Sequence, residues 1–499
     1  MGKHFLSVLG TSLYEPVIYE DGEFKSSEQV FIQLALVERF YKDLLEPDSK
    51  ISLFLTDGAK ERNYENRVYS EKEEGFAQKW VSSKKKDVKA NTSKQGLKEQ
   101  FLTRFPELEP KLEVVSIEDA QTEEQIWNVF SSIYDSLREG DEIIFDITHS
   151  FRSIPMLAMT VINYAKILKN CSLTGIYYGA YEAAVVSGEA KVAPINNLTI
   201  YNEILEWTNA ANTFMRYGNA SMIKEVFEQK YNSLPKEEKP EWSSLKKMVN
   251  KVENLSDTIQ TCRGADGTEL EMKARKKNKC SVKSAYALFR EELSQKEERE
   301  QTSMKPLVPL FEKVKEKFSV FEKENNYEVG MAVTAWSIEN GMIQQGYTSL
   351  EETIKTWICH NYELNEVDER NREGIVGFII NEMKQQEIQN PKKDWRNPDI
   401  RWEAVCPIVE KKLQGNNNQD DSELLEKMER MVKELDFNLV ILAREIKNKR
   451  NDINHFGMRK NPMEASGLKS ELEKYFIQFR EIVERKEAAV DDGTMERSF

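Results

Sequence analysis

"DEIIFDITHSFRSIPMLAM", residues 141–159, is the stretch on which the reading of the fold turns. It begins as an apolar run of strand length, DEIIFDIT, and ends in an apolar helical pattern. Between the two lie Asp146, Thr148, His149, Ser150 and Arg152. Pro155 suits a first helical turn, which predicts that residues 148–153 surround a helix N-terminus. Such termini attract anions, and a hydroxyl, an imidazole and a guanidinium placed there make a cradle for phosphate or nucleotide. A plainer reading stands beside it: Asp146 and Thr148 cap the helix, and Arg152 pairs with a surface acid. A tight cap does not require His and Arg together.

The same alternation extends outward through the first two hundred residues. HFLSVLG (4–10), KISLFLT (50–56), KLEVVSI (111–117) and SLTGIYYGA (172–180) are further short apolar runs. Helical patterns separate them at 27–45, 122–137 and 156–170. Apolar strands alternating with helices predict a parallel sheet covered on both faces, an α/β, Rossmann-like domain. AAVVS (183–187) and KVAPI (191–195) read as a terminal hairpin. Ligands of such sheets gather at the carboxyl ends of the strands. The first strand ends in LGTSLYEPVIY (9–19), where Gly10 allows close backbone approach and Thr11 and Ser12 offer hydroxyls. LTDGAKERNYENR (55–67) follows the second strand and can add a further wall. The basic run SSKKKDVKANTSK (82–94) reads as a solvated loop.

Beyond residue 200 the strand signals stop. Charge-dense helices fill 201–327, and a more apolar helical unit follows over 328–490. Within it, Leu435, Leu439, Leu442 and Ile446 predict one buried helical stripe at i, i+4, i+7, i+11. Residues 491–499 read as a frayed tail. The organisation expected is therefore an α/β domain (1–200), a helical connector (201–327) and an all-α domain (328–490).

Composition narrows the function classes. The chain has 499 residues, 39% hydrophobic and 31% charged, with a net charge of -14. That charge argues against nonspecific coating of nucleic acid, so a bound polyanion must sit in a local groove. The five cysteines lack C-x-x-C spacing, which points to a reducing cytoplasm rather than a disulfide or zinc framework. No run spans a bilayer and the opening residues are not those of a signal peptide.

The all-α unit ends with KRNDINHFGM (449–458). On a helix Asn451 and His455, four apart, share a face, and the long Arg450 side chain can curl back toward them. These three side chains suit RNA cleavage, because RNA carries its own nucleophile in the 2′-OH. A base or acid near neutral pH (His455) and a cation for the crowded phosphorane (Arg450) then suffice. No metal is called for.

FDITHSFRSIP resembles the signature of the CARF domain, the Rossmann-like sensor of CRISPR-associated proteins. LGTSLYEP and LTDGAKERNY resemble the loops after its first two strands. RNDINH is similar to the R-x4-H motif of HEPN ribonucleases, and residues 332–352 resemble the opening helices of that domain. Ser150 departs from the family, which usually has Gly there. The resemblance implies a type III CRISPR ancillary ribonuclease. In that reading Gly10, Thr11, Ser12, Asp146, Thr148, His149, Ser150 and Arg152 bind a cyclic oligoadenylate activator, with cyclic tetra-adenylate the expected ring. Arg450, Asn451 and His455 cleave single-stranded RNA, without cofactor, to 2′,3′-cyclic phosphate and 5′-OH ends. HEPN chemistry further implies a homodimer, or a larger oligomer, that brings two motifs to one cleft. Two alternatives stay open: a noncatalytic CARF regulator that binds DNA through the basic patches at 243–280, and a sensor that also degrades its own ligand.

Overall fold

The structure is a computed structural model that describes residues 2–12, 14–66, 95–149, 153–188, 190–264, 281–294, 308–414 and 421–491. The run 82–94, together with Ser150 and Arg152, lies outside the described residues. Two compact units divide the chain at 205/206.

The first unit is built on β1 (Lys3–Leu9), β2 (Ile18–Glu20), β3 (Lys50–Leu55), β4 (Leu112–Ser116), β5 (Glu142–Asp146), β6 (Ser172–Gly179), β7 (Val185–Ser187) and β8 (Ala190–Asn197). They lie in the order β2-β8-β6-β5-β1-β3-β4, with β7 on β8. The run from β6 to β4 is parallel, whereas β8 joins antiparallel to β6 and β7. Strand residues alternate strictly between two cores. Phe5, Leu9, Ile51, Leu53, Leu55 and Ile144 face a cluster shared with helix Ile32–Arg39. Leu6, Val8, Phe54, Ile143 and Phe145 face a second cluster, with helices Glu123–Ser136 and Ser153–Leu168. A one-residue slip of β1 would exchange the two sets, and each buried apolar side chain contributes about 1.5–3 kcal/mol, so register is firmly held. This is the doubly wound α/β layering expected from the sequence.

Two details differ from the expectation. Residues 27–31 are not helical: Gln29 pairs by backbone with Val17 at 2.8 Å in both directions, and the helix starts at Ile32. β2, a three-residue strand parallel to β8, went unread in a stretch taken for loop.

At the starts of the strands, away from the ligand loops, His4 Nδ1 lies 2.7 Å from Asp141 Oδ2 and its Nε2 2.9 Å from Ser52 Oγ. The chain of bonds copies a nucleophilic triad, but all three side chains are buried and no substrate can reach them. It is a strand-tying network.

The second unit is helical. One core, from Trp207 to Trp336, gathers helices Ile200–Tyr217, Ser221–Ser233, Ser243–Gln260, Val282–Ser294 and Val308–Phe318. The other, from Tyr327 to Val483, gathers helices Ile343–Asn361, Phe378–Gln389, Pro398–Gln414, Asp421–Glu434, Phe437–Asn454 and Ala465–Asp491. Helix Asn326–Glu339 belongs to both: Tyr327 packs into the second core, and Val329, Val333 and Trp336 into the first. Gly218, at φ +64°, leaves the room Trp336 needs, since a Cβ there would stand 2.7 Å from its indole nitrogen. The single helical stripe expected through Leu435–Ile446 holds for Leu439, Leu442 and Ile446 on one helix, whereas Leu435 lies in the turn before it. Asp436 accepts a bond from Asn438 N (2.9 Å) and starts a new helix, while all four apolar residues remain buried in one core. The last helix ends at Asp491.

Burial holds His4 neutral, lowering its proton affinity despite the pull of Asp141. The unfolded chain therefore binds the proton more readily, and the network's stabilisation is present above about pH 6.5 and is lost as pH falls below it. His4→Gln should lower protection of the β1 and β3 amides by about 1–3 kcal/mol at pH 7.5. Hydrogen exchange should show that difference shrinking by pH 5.5; a difference independent of pH would refute the assignment.

Candidate ligand crevice and candidate active site

From β1 the chain passes to β3 and β4 on one side, then crosses back to β5 on the other. The topological switch thus falls between β1 and β5, and a crevice opens beyond their carboxyl ends. The loops expected to bind ligand are the two that meet there. Asp146, at the end of β5, is fully buried and acts beneath the crevice rather than within it. Its carboxylate accepts from Ser7 Oγ (2.7 Å), Thr148 N (2.9 Å) and Thr148 Oγ1 (2.6 Å). Burial pushes its pKa up, against the pull of those hydrogen bonds. Thr148 Oγ1 in turn accepts from Gly179 N at 2.9 Å, which anchors the β5 loop to β6.

The β1 loop is held from the other side. Buried Asn63 donates through Nδ2 to Gly10 O (2.7 Å) and Ser12 O (2.9 Å), so the third loop braces the first. The space beside Gly10 is taken by Tyr14, whose hydroxyl would stand 2.6 Å from any Cβ at that position. The Tyr14 ring stacks on His149, with centroids 3.9 Å apart and planes at 20°. Burial lowers the pKa of His149 to about 3, so the ring is neutral at any physiological pH. Among the described residues its buried Nδ1 has no hydrogen-bond partner. A neutral imidazole stacked on tyrosine can bond and stack a heterocyclic base. Thr11 is half-buried and Ser12 exposed at the rim.

In the second unit, helix Phe437–Asn454 carries Arg450 and Asn451, and His455 is its C-cap. His455 N donates to Asn451 O at 3.0 Å, and the imidazole is exposed. The helix closes in a Schellman turn: Gly457 N bonds Asp452 O (2.9 Å) and Phe456 N bonds Ile453 O (2.9 Å). Asp452 is buried, and its carboxylate accepts from Met463 N (3.0 Å), pinning the returning loop.

Arg450 does not stand free. Its Nε lies 3.0 Å from Glu351 Oε2, a carboxylate only 3% exposed on helix Ile343–Asn361. Glu351 also meets Lys355 (3.2 Å), which bridges to Glu352 (3.0 Å) and Glu373; Arg372 holds Glu352 at 2.7 Å. Glu352, though pushed up by burial, ends below the usual carboxylate range because Lys355 and Arg372 outweigh it. Sequence reasoning missed this group. The i, i+4 spacing of Glu351 and Lys355 in an apolar helix was the available signal. A cavity beside them is lined by Glu351, Lys355, Asn381, Arg444 and Lys447 among others.

Comparison with known proteins agrees with the geometry. Residues 4–182 match the family model described as CRISPR system endoribonuclease Csx1, CARF domain. The first unit therefore carries a CARF domain. Over 341 residues the chain is 28% identical to the CRISPR-associated protein MJ1674 of Methanocaldococcus jannaschii, a match covering 66% of this chain and 48% of that protein. The chain thus spans about half the length of this relative. Among the described residues no helix is long and apolar enough to cross a membrane.

Asn63→Ala removes both bonds to the β1 loop without touching the crevice. The substitution should cost about 1–3 kcal/mol of local stability, read as lost exchange protection at residues 10–12. Unchanged protection would show that the loop does not depend on this brace.

Proposed function

We propose that the chain is an endoribonuclease of type III CRISPR defence, activated by a cyclic oligoadenylate bound at the β1/β5 crevice. The observation that carries the reading is the Arg450, Asn451 and His455 set at an exposed helix end, in a chain whose N-terminal unit is a CARF domain. In this reading a base of the ring stacks and bonds at Tyr14 and His149, and Thr11 and Ser12 meet its phosphates. Four adenylates are the expected ring size.

His455 takes the proton of the 2′-OH as its oxygen attacks the adjacent phosphorus. Arg450, oriented by Glu351, neutralises the crowded phosphorane, and Asn451 positions phosphate from the same helix face. The 5′-oxygen leaves with a proton, so the products end in 2′,3′-cyclic phosphate and 5′-OH. One histidine per chain serves one proton transfer, and a second copy related by a two-fold axis supplies the other. The apolar surface supports such pairing: helix Ser153–Leu168 exposes Met156 (73%) and Ile167 (79%), and helix Glu123–Ser136 exposes Trp127 (59%).

Labelled RNA incubated with the protein in excess EDTA, with and without cyclic tetra- or hexa-adenylate, tests the whole reading. Cleavage should appear only with activator. Arg450→Ala and His455→Ala should each lower it by roughly 100-fold or more while binding activator normally. His149→Ala should raise the activator concentration needed and leave the fully activated rate unchanged. Cleavage by either folded, dimeric active-site variant, or a strict metal requirement, would overturn the mechanism. A protein that binds activator, cuts no RNA and binds duplex DNA would instead be a regulator.

A further inference from the structure

Phe456 follows His455 directly, and its backbone is left-handed, at φ +58°. The Schellman position it occupies normally holds glycine, and a bulky aromatic there is a genuine outlier. Glycine does occur in this turn, but one residue later, at Gly457 (φ +67°). The side chain gained by tolerating this strain is not used for packing. Phe456 is 88% exposed, and among the described residues its ring meets no other ring or cation. Strain that serves no packing contact points to a contact made with something else.

The surroundings indicate what that is. Residues 455–460 read His-Phe-Gly-Met-Arg-Lys, and Met458 (82%), Arg459 and Lys460 are exposed with Phe456. The loop is held in place: Asp452 accepts from Met463 N, and Arg459 donates to Asn448 O at 3.2 Å. On the helix behind it, Arg444, Lys447, Asn451 and His455 recur at i, i+3, i+7 and i+11, one face about 16 Å long. Lys447 has no ion-pair partner among the described residues. An exposed aromatic ring beside cations, at the end of a basic stripe, is the arrangement that holds single-stranded nucleic acid: cations on phosphates, a ring on a base.

We propose that Phe456 is the stacking platform for the nucleobase beside the scissile phosphate, with Arg444 and Lys447 receiving the phosphates that approach it. The left-handed turn leaves the ring exposed, on the residue whose Cα is one step, about 3.8 Å, from that of His455. The inference rests on the proposed ribonuclease reading, and it identifies which part of the substrate is gripped. Because stacking is indifferent to base identity, the platform supplies affinity for unpaired RNA of any sequence, whereas a duplex, whose bases are already stacked, gains nothing from it.

The test uses the full chain with a labelled single-stranded RNA. Phe456→Gly relieves the left-handed strain, so its Tm should equal or exceed that of the wild type, while RNA binding weakens roughly ten- to hundredfold. Phe456→Trp should restore binding to within about threefold of the wild type, since stacking survives the change. Binding is measured in the His455→Ala background, so the result does not depend on whether the wild type cuts RNA. In the cleaving protein with activator, the same loss should fall on KM. Unaltered binding by Phe456→Gly overturns the proposal, as does a lowered Tm. A Phe456→Gly protein that sediments as a monomer would also overturn it, because the ring would then be a contact between copies.

Discussion

A buried carboxylate with no ion-pair partner among the described residues governs the N-terminal unit. Asp146 ends the central strand β5 in the sheet interior, where an unpaired charge is costly. Three donors converge on it: Ser7 from β1, and both the backbone and the hydroxyl of Thr148. Gln33 donates to Ser7 Oγ (3.0 Å), which extends the network to the covering helix. Satisfying this one group therefore ties β1 to β5 across the switch point and folds the β5 loop back on itself. The crevice keeps its shape because the carboxylate beneath it has no other way to be solvated.

Charge plays a parallel part in the helical unit. Glu351 and Lys355 are buried, and Arg450 reaches them from the neighbouring helix. Ion pairs of this kind add little net stability, since desolvation offsets attraction, but removing one partner strands the others. Their value is positional. A guanidinium tethered through Nε keeps its two terminal nitrogens in a fixed plane, where a free surface arginine would sample many rotamers. His455 has the opposite surroundings, exposed to solvent at a helix end.

Much of this was legible in the residues, for identifiable reasons. The five strands of the parallel sheet were read to within two residues of each end, because most of them are buried on both faces and leave continuous apolar runs, though the edge strand β4 is largely exposed. β2 was not, since three residues after Pro16 carry no periodicity. The Leu435–Ile446 stripe misled at one end because Leu435, in the turn before the helix, enters the same core at a helical spacing. Arg450, Asn451 and His455 were singled out as candidates by local spacing together with their resemblance to a known motif. Their partner Glu351 lies on another helix, and the stack of Tyr14 on His149 joins loops from β1 and β5. Contacts between residues so far apart in the chain are set by the tertiary fold, which a single sequence does not display.

The strand order also sets the sequence of events when the chain is made. Among the described residues β1 pairs with β3 and β5, and its pairing with residues 142–146 cannot begin until those have been synthesised. At typical elongation rates that interval is on the order of 10–30 s. β2 waits longer still, since Ile18–Glu20 pairs with residues 192–194. β1 can pair with β3 soon after residue 55, but its other edge stays open to mispairing while most of its domain emerges. The later helices, whose partners lie near in sequence, can assemble almost as they appear. The α/β unit is synthesised before the helical one, yet by topology it is the unit that folds slowly.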